Sequence, residues 1–421
     1  MFLYSELRHD SRVEREARAL VQEGWSLRII AANDPASHRQ AEEAHEWRDG
    51  YEIVRVDRTP LPARLAVRAV AAGAPAAAAR NGASPAAPAS PRPGVEAALL
   101  PWRVSHRWLD HRKYVRGAVA EARRAAADLW ICHDLSTLAA GAAARRELGG
   151  ALLYDSHELW LDRSKVPGEI PPERWRWQRM ERALIGRADV TVTVCDSIAD
   201  TLAQRYAIAR PAVVRNVPER PADDSRRDLR ARAGIERDGP LVLHLGGQMR
   251  GRGIETLIGA MPALPNAELV LLGSSAPGMR AELEALAARL GVTDRVHFVA
   301  AVPTAEVLGY ARSADVGVAP IQNEGLNHLY SLPNKLFEYL NAGLPVVTSN
   351  FPEMARIVAE HRVGETFAAA DPDDLARALR SVLAPGRREE LAANARAAAE
   401  ELSWERERDR FLAAVEAAVA R

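Results

Sequence analysis

The most informative run of the sequence is SLPNKLFEYLNAGLPVV, Ser331–Val347. Pro333 suits the first turn of a helix, where its missing N–H costs nothing. The residues after it have a helical pattern that carries Lys335 and Glu338, and a glycine then leads into a β-branched run. A helix followed by a short apolar strand is typical of the alternating units of a parallel sheet. The stretch therefore predicts one helix and one strand of an α/β domain.

Strand and helix patterns alternate along most of the 421 residues. The predicted strands are MFLYS, WSLRIIA, DLWIC, ALLY and DVTVTV in the first half, and LVLHLG, AELVLLG, RVHFVA, DVGVAP and PVVTS in the second. A chain of this length is too long for one hydrophobic core. We therefore predict two doubly wound α/β domains, at 1–217 and 218–402, with a charged linker at 218–240. A final helix is predicted at 403–421, with Ser403 as its N-cap, and it could pack back on the first domain.

Two further segments of the first half have patterns that predict their local structure. SRVEREARALVQEG is predicted to be a helix, with Ser11 as its N-cap and Glu14 completing a capping box. Residues 71–94 are dominated by Ala, Pro, Gly and Ser, a composition that predicts a flexible loop.

Composition excludes several classes of protein. Lys+Arg and Asp+Glu both number 56, so the formal net charge of zero argues against a nucleic-acid binder held by bulk charge. No apolar run approaches the ~20 residues of a membrane helix, and the N-terminus lacks the pattern of a signal peptide. Cys132 and Cys195 offer neither a disulfide framework nor a metal-binding spacing. We expect a cytoplasmic protein.

The helix that begins near Pro333 has the features of an anion site. Its first N–H groups and its dipole attract negative charge, and Lys335 adds a full positive charge there. Asn334 and Lys335 share a face with Glu338, which lies ~5 Å further along the axis. A diphosphate at the helix tip and ribose hydroxyls at Glu338 would match this spacing. The alternative is an ordinary surface ion pair between Lys335 and Glu338.

A glycine-rich turn, HLGGQMRGRGIE, spans His244–Glu255 between a predicted strand and a helix. It matches neither the dinucleotide fingerprint nor the P-loop. Gly246 and Gly247 allow the backbone to approach a phosphate closely, and Arg250 and Arg252 suit anionic oxygens. The alternative is a tight turn with solvated arginines.

Two dipeptides follow predicted strands of the first domain. They are His133-Asp134 after DLWIC and His157-Glu158 after ALLYDS. Polar groups at the carboxyl ends of neighbouring strands predict a site for a polar substrate or a metal. The metal is disfavoured because no third cluster with ligand spacing follows. Structural histidines are the remaining alternative.

These elements, in this order, resemble the retaining glycosyltransferases of family 4, which have the GT-B fold. HDSRVEREARAL, HDLSTLAAG, YDSHELW, ADVTVTVCDSIA and GRGIETLI extend the similarity over nearly the whole chain. The resemblance implies two Rossmann-like domains facing across a cleft, the first for the acceptor and the second for a nucleotide-diphosphate sugar. It also implies sugar transfer with retained configuration to an unidentified glycan, lipid-linked or small-molecule acceptor, without a cofactor and without a metal.

The resemblance also implies roles for residues. Arg252 and Lys335 grip the diphosphate, Glu338 takes the ribose hydroxyls, and His133 faces the transferred sugar. The donor nucleotide site comprises Gly246, Gly247, Arg252, Asn334, Lys335, Leu336 and Glu338. The donor-sugar or acceptor site comprises Asp10, Arg12, His133, Asp134, His157, Glu158 and Tyr330. Contacts to the base are expected from the backbone near residues 299–302.

The sequence departs from the family pattern in two places. Many relatives have two glutamates separated by seven residues, but the first of these positions is Tyr330 here, and Glu324 could replace it only at another spacing. The loop after the first strand often carries glycines in relatives. Here Arg8, His9, Asp10 and Arg12 take their place, which suggests an anionic or polar acceptor.

Three other functions remain open. Tyr330 leaves room for a nucleotide-sugar epimerase or for an inactive sugar-nucleotide-binding protein with the same fold. A metal-dependent hydrolase would use His133, Asp134, His157 and Glu158. Separately, residues 102–116, with two tryptophans and several basic residues, form either a solvated basic face or a peripheral contact with the inner membrane leaflet.

Overall fold

The computed structural model describes residues 1–7, 10–33, 44–58, 93–163, 171–221 and 225–421, with only the backbone for 93–106 and 171. Two separate sheets, of eight and six strands, carry helices on their faces. The prediction of two doubly wound α/β domains is therefore confirmed. No helix within the described ranges is long and apolar enough to cross a membrane.

The first sheet has the strand order β3-β4-β2-β1-β5-β6-β7-β8, and only β3 and β4 pair antiparallel. The strands are β1 Phe2–Leu3, β2 Arg28–Asn33, β3 His45–Arg48, β4 Tyr51–Asp57, β5 Leu129–His133, β6 Ala151–Ser156, β7 Val190–Thr193 and β8 Ala212–Val213. The helices are α1 Ser11–Gln22, α2 Pro93–Ala122, α3 Leu135–Leu148, α4 Pro171–Leu184 and α5 Asp196–Tyr206. The strand order reverses between β1 and β5, so α1 and the residues after β5 border the same crevice.

The second sheet has the order β11-β10-β9-β12-β13-β14 and is parallel throughout its described pairs. Its strands are β9 Leu241–Leu245, β10 Glu268–Leu272, β11 Val296–Val299, β12 Val316–Ala319, β13 Val346–Ser349 and β14 Gly364–Phe367. Its helices are α6 Leu229–Ala233, α7 Ile254–Ala260, α8 Met279–Arg289, α9 Thr304–Ala311, α10 Leu326–Leu329, α11 Asn334–Asn341, α12 Pro352–His361, α13 Pro372–Val382 and α14 Arg387–Glu401. Here the order reverses between β9 and β12.

Several local predictions need correction. The N-cap of α1 is Asp10, not Ser11, because the Asp10 carboxylate accepts from the Val13 N–H at 3.3 Å. Glu14 completes no capping box, since it forms an ion pair with Arg48. Part of the predicted linker is helix α6. The predicted loop 71–94 lies outside the described residues up to 92, and its last two residues belong to α2. The sequence patterns do not predict strands β3, β4, β8 and β14.

The last helix, α15 Trp404–Val419, packs on the first sheet. Phe411 and Val415 share a hydrophobic cluster with Leu153 of β6. The buried Glu407 carboxylate accepts from the Arg215 N–H at 2.9 Å. The end of the chain is thus attached to the first domain. The predicted domain boundary at 217 stays a prediction, as β8 ends at residue 213 and β9 begins at residue 241.

The two domains touch through loop and helix residues that follow the carboxyl ends of their strands. Asn327 accepts from the Leu159 N–H at 2.9 Å and donates to the Glu158 carboxylate at 3.1 Å. Glu353 accepts from the Ser197 N–H at 2.8 Å. Ligand-binding loops of parallel sheets lie at this end of the strands, so the two candidate sites face one interdomain region.

Candidate functional site

Helix α11 is fixed to the second sheet at the point where its strand order reverses. The Tyr339 ring covers Gly317, where a Cβ atom would lie 2.3 Å from the ring. The Tyr339 hydroxyl accepts from the Leu245 N–H at 2.9 Å and lies 3.1 Å from the Val318 carbonyl oxygen. It therefore occupies the space that opens where β9 and β12 diverge. This anchor places the first turn of α11 beside the end of β9.

The glycine-rich turn begins where β9 ends. Gly246 is exposed and has a φ of +99°, and Gly253, which precedes α7, has a φ of +69°. A Cβ atom on Gly253 would lie 1.6 Å from the Pro320 carbonyl oxygen, so this position requires glycine. A Cβ atom on Gly246 would lie 3.9 Å from the Lys335 ammonium. The turn and the start of α11 therefore meet.

Two basic side chains, Lys335 and Arg252, lie where the glycine-rich turn meets α11. Lys335 is 9% exposed, and its Nζ lies 2.9 Å from Nε2 of His244 on β9. Burial, followed by the charge of Arg252, lowers the pKa of Lys335 to about 7, and Glu338 opposes this shift. Among the residues that the structure describes, no carboxylate lies within ion-pair distance of Lys335 or Arg252. The alternative of a surface ion pair between Lys335 and Glu338 is therefore wrong.

The other predicted donor residues lie at different depths. Gly247, Asn334 and Glu338 are half-buried, and burial raises the pKa of the Glu338 carboxyl while Lys335 lowers it. Leu336 has no exposed surface and packs in the hydrophobic core. Its side chain therefore cannot contact a nucleotide, which corrects the prediction for this residue.

Glu324 and Tyr330 occupy separate places near this turn. A Cβ atom on Gly251 would lie 2.7 Å from the Glu324 carboxylate, which is also 3.7 Å from Nδ1 of His328. Tyr330 accepts a hydrogen bond through its carbonyl oxygen from the Cys195 thiol, at 3.3 Å across the two domains. Glu324 is thus the carboxylate beside the glycine-rich turn, and Tyr330 belongs to the domain contact.

The first domain holds a second cluster at its own crevice. Arg12 of α1 donates from Nε and Nη2 to the two oxygens of Asp155, at 2.9 Å each. Arg12 also lies 2.9 Å from the Glu16 carboxylate. His157 Nε2 is 2.9 Å from Asp155, and His133 Nδ1 is 3.3 Å from that same His157 nitrogen. The strand reversal between β1 and β5 brings these residues together.

This cluster carries both signs of charge. Burial lowers the pKa of His157, but the carboxylates of Asp134 and Asp155 outweigh it and raise the pKa to about 10. Burial would raise the pKa of Asp155, but Arg12 and then His157 hold it well below its usual range. Burial, together with Asp155, raises the pKa of Glu16 to about 8. The positive charges of protonated His157 and of Arg12 are therefore balanced by carboxylates of the same cluster.

The sequence-predicted residues of this domain lie in different surroundings. His133 is 1% exposed, burial lowers its pKa, and its Nε2 has no hydrogen-bond partner among the described atoms. Asp134 has a φ of +64° and accepts from the His157 N–H at 3.1 Å. Glu158 points to the second domain and Asp10 caps α1. Arg12 is buried against Asp155, so the prediction that it meets an acceptor is wrong.

One group in the described residues has the geometry of a metal site. His133, Asp155 and His157 offer ligand atoms within 4.8 Å of one another. Both oxygens of Asp155 already accept from Arg12, and the raised pKa of His157 keeps its imidazole protonated, whereas a metal needs neutral imidazole. The residues therefore fit a metal poorly. The alternative of a metal-dependent hydrolase is further weakened, because Glu158 is hydrogen-bonded to Asn327 instead of joining the group.

Two family models match this chain. One, described as Glycosyltransferase Family 4, matches residues 65–217, and one described as Glycosyl transferases group 1 matches residues 239–385. The D-inositol 3-phosphate glycosyltransferase of Actinosynnema mirum is 30% identical over 316 residues, which cover 70% of this chain and 74% of that protein. The chain belongs to the family-4 glycosyltransferases.

Other similarities agree with this family. The D-inositol 3-phosphate glycosyltransferase of Xylanimonas cellulosilytica is 31% identical over 254 residues, and the match spans 59% of that protein's length. Sucrose-phosphate synthase from Thermosynechococcus elongatus superimposes with a TM-score of 0.69 at 19% identity, covering 97% of this chain and 96% of the other. HepE from Anabaena, solved with UDP, gives 0.67 at 14% identity, covering 99% and 98%. These two structures confirm the GT-B fold.

Three residues of this family-4 glycosyltransferase were missed from its sequence. Asp155 has a signal, because it is the penultimate residue of strand β6, two residues before His157. His244 is the polar residue of an otherwise aliphatic strand, LVLHL. Glu16 gives no such signal, since it follows Arg12 by four residues on α1 and reads as part of an ordinary charged helix face.

Proposed function

We propose that this glycosyltransferase moves a sugar from a nucleoside-diphosphate sugar to an acceptor, with retention of the anomeric configuration. The observation that carries the proposal is the unbalanced positive charge of Lys335 and Arg252 where the glycine-rich turn meets α11. A buried ammonium next to a second cation is unfavourable unless an anion joins them. A diphosphate supplies that anion.

The surrounding residues suit the rest of a nucleotide. Gly246, exposed and without a side chain, lets the backbone approach a phosphate oxygen. Glu338 lies one helical turn beyond Asn334, at the distance that separates a diphosphate from the hydroxyls of its ribose. As the bond to the sugar breaks, charge develops on the leaving diphosphate, and Lys335 and Arg252 are placed to stabilise it. The reaction then needs neither a metal nor a cofactor.

The first domain would position the sugar and the acceptor. His133 and His157 lie at the carboxyl ends of β5 and β6, and Glu158 contacts the second domain through Asn327. This arrangement supports catalysis by positioning between two domains, with the leaving group stabilised from the second. Relatives named D-inositol 3-phosphate glycosyltransferases make a polyol phosphate the first acceptor to test.

Nucleotide binding tests the proposal. Thermal unfolding is followed with UDP, GDP, dTDP and ADP, with UDP first because HepE binds it. At ~100 times the dissociation constant, the nucleotide should stabilise the protein by about 2.7 kcal/mol. Glu338→Gln should lose most of this shift, whereas the matched surface change Glu400→Gln should keep it. No shift with any of the four nucleotides would contradict the proposal.

Product analysis separates transfer from the alternatives. Tyr330 replaces a glutamate that many relatives use, so an epimerase or an inactive binder remains the competing function. A transferase releases nucleoside diphosphate in proportion to a new glycoside whose anomeric configuration matches the donor. An epimerase converts the donor without releasing nucleotide, and an inactive binder changes neither.

We also propose a peripheral contact with an anionic membrane surface, which would place the enzyme at the cytoplasmic face. Trp108 on α2 and Trp175 on α4 are 38% and 62% exposed. Arg112 lies 4.3 Å from the Trp108 ring and Arg179 lies 5.5 Å from the Trp175 ring. Exposed tryptophans flanked by arginines suit the boundary of an anionic bilayer.

Flotation with vesicles that contain anionic lipid tests this contact. The double change Trp108→Ser and Trp175→Ser should abolish flotation, and Trp47→Ser, which alters a 74% exposed tryptophan on β3, should not. Absence of flotation by the unmodified protein would leave a solvated basic face as the better interpretation.

A further inference from the structure

His244 is a polar residue of one of the two central strands of the second sheet. It lies on β9, which is otherwise leucine and valine, and it has no exposed surface. Burying an imidazole costs more than burying an aliphatic side chain of similar size. Packing therefore does not account for histidine at this position, and a specific contact is needed to explain it.

That contact is the Lys335 ammonium, 2.9 Å from His244 Nε2. An ammonium has three N–H groups, so one hydrogen bond to the imidazole leaves two for a ligand. Gly246 follows His244 by two residues, and a Cβ atom on it would lie 3.9 Å from the ammonium nitrogen. His244 therefore holds the ammonium at the start of the glycine-rich turn.

The imidazole remains an acceptor across the useful pH range. Burial, followed by the charges of Lys335 and Arg252, holds the pKa of His244 well below its usual value. A neutral imidazole accepts through the ring nitrogen that carries no proton. The charged groups that face Lys335 are then Arg252 from the turn and Glu338 from its own helix.

We propose that His244 is a positioning residue for the diphosphate of the donor, because it fixes the Lys335 ammonium by accepting its hydrogen bond. The inference rests on the proposed function. It adds that the ammonium needs this acceptor both to stay in place and to stay charged. In the family pattern the lysine acts on the nucleotide directly, whereas His244 acts only through Lys335.

Calorimetric titration with the nucleoside diphosphate that stabilises the protein tests the inference. His244→Leu should weaken binding by about tenfold, the loss expected for one hydrogen bond to a charged group. His244→Gln, which keeps an acceptor oxygen, should recover most of the affinity. The control His297→Leu removes an imidazole from β11, where its partner is Glu268, and should leave affinity unchanged.

A double-mutant cycle separates positioning from a structural role. In the Lys335→Met background, His244→Leu should cause no further loss of nucleotide affinity, because the group that it positions is gone. A further tenfold loss in that background would overturn the proposal. Thermal unfolding of each free variant shows whether it is folded at the temperature of the titration.

The pH profile gives a second readout. Lys335 binds a diphosphate when charged, so the affinity of the unmodified protein should fall as pH rises through about 7. His244→Leu removes an acceptor that favours the charged form, so this fall should begin at lower pH. His244→Gln should restore the original profile. An unshifted profile in His244→Leu would overturn the proposal.

The outcomes separate a failure of the proposed function from a failure of the role of His244 alone. If the unmodified protein binds none of the nucleotides, the proposed function fails and the role of His244 fails with it. If the unmodified protein binds and Lys335→Met does not, but His244→Leu binds like the unmodified protein, only the role of His244 fails.

Discussion

Each sheet gathers charged side chains at the crevice where its strand order reverses, and the two clusters differ in how their charge is balanced. In the first domain, Arg12 forms two hydrogen bonds to Asp155, which also contacts His157. In the second domain, Lys335 contacts a neutral imidazole and faces Arg252, another cation.

The balance of charge indicates which of the two clusters binds a ligand. A network that pairs its own charges is complete and stabilises the domain that contains it. Lys335 and Arg252 have no carboxylate at ion-pair distance among the described residues. Their positive charge is therefore balanced only when an anion binds. We therefore expect changes in the first cluster to alter stability, and changes in the second to alter nucleotide affinity.

The largest effect should come from Arg12→Met. It leaves Asp155 buried without its main counter-charge, and breaking one side of a buried pair costs about 3–5 kcal/mol. Urea unfolding of the first domain should show this loss. Arg18→Met, which breaks an exposed pair with Glu219, should cost less than ~1 kcal/mol. Equal losses from both changes would remove the distinction between a buried network and surface pairs.

The next effect is a pH dependence of the first domain. The pKa of His157 is raised to about 10, so its stabilising contribution is present below the ordinary histidine pKa and declines as pH rises toward 10. Urea unfolding at pH 6.5 and pH 9 should differ by about 2–3 kcal/mol, since one pKa unit corresponds to about 1.4 kcal/mol. His157→Gln should flatten this dependence, and a profile unchanged by the substitution would contradict the assigned charge.

Lys335→Met should act on binding and spare stability. Loss of a charged hydrogen-bond donor to the diphosphate should weaken nucleotide affinity by about thirtyfold. Removing a buried charge from beside Arg252 should leave the unfolding free energy unchanged or higher. Calorimetry and urea unfolding of the same variant measure both, with Lys113→Met in the first domain as the control. Strong destabilisation with unchanged affinity would reverse the comparison.

The smallest expected effect is that of Glu324, whose carboxylate lies near the glycine-rich turn. The Glu324 carboxylate lies beside Gly251, so it repels a diphosphate there, and Glu324→Gln should tighten nucleotide binding by about twofold to threefold. The control change Glu306→Gln, at a half-buried carboxylate 3.9 Å from Arg227, should have no effect. Weaker binding in Glu324→Gln would show instead that this carboxylate contacts the nucleotide, as a substitute for the missing first glutamate.

Much of the fold followed from the sequence because apolar strands and capped helices leave a local pattern. Strand β3 did not, because HEWR is an exposed edge strand with no apolar run, and its pairing depends on β4. The start of α11 follows from Pro333 to within one residue, since Pro333 precedes the helix as its N-cap instead of lying in the first turn. The N-cap at Asp10 did not, because Asp and Ser are about equally good caps and only the backbone decides between them.

The candidate site was predictable where side chains act alone and not where they act in pairs. Lys335 and Glu338 follow from helix spacing. The contact of Lys335 with His244 joins positions that are far apart in sequence, and no local pattern predicts it. Arg12 is wrongly predicted to meet an acceptor, since its burial against Asp155 depends on helix α1 packing beside strand β6, which no local pattern shows. Leu336 was misplaced because helix spacing does not show which face packs in the core.

The most direct test of the account is calorimetric titration of the unmodified protein at pH 7.5 with UDP, GDP, dTDP and ADP, in two buffers that differ in ionisation enthalpy. The account predicts that one nucleotide binds with net uptake of a fraction of a proton, because Lys335, with a pKa of about 7, must be charged in the complex. Lys335→Met should remove that uptake. Binding by none of the four nucleotides, or binding with the same proton uptake in Lys335→Met, would contradict the account.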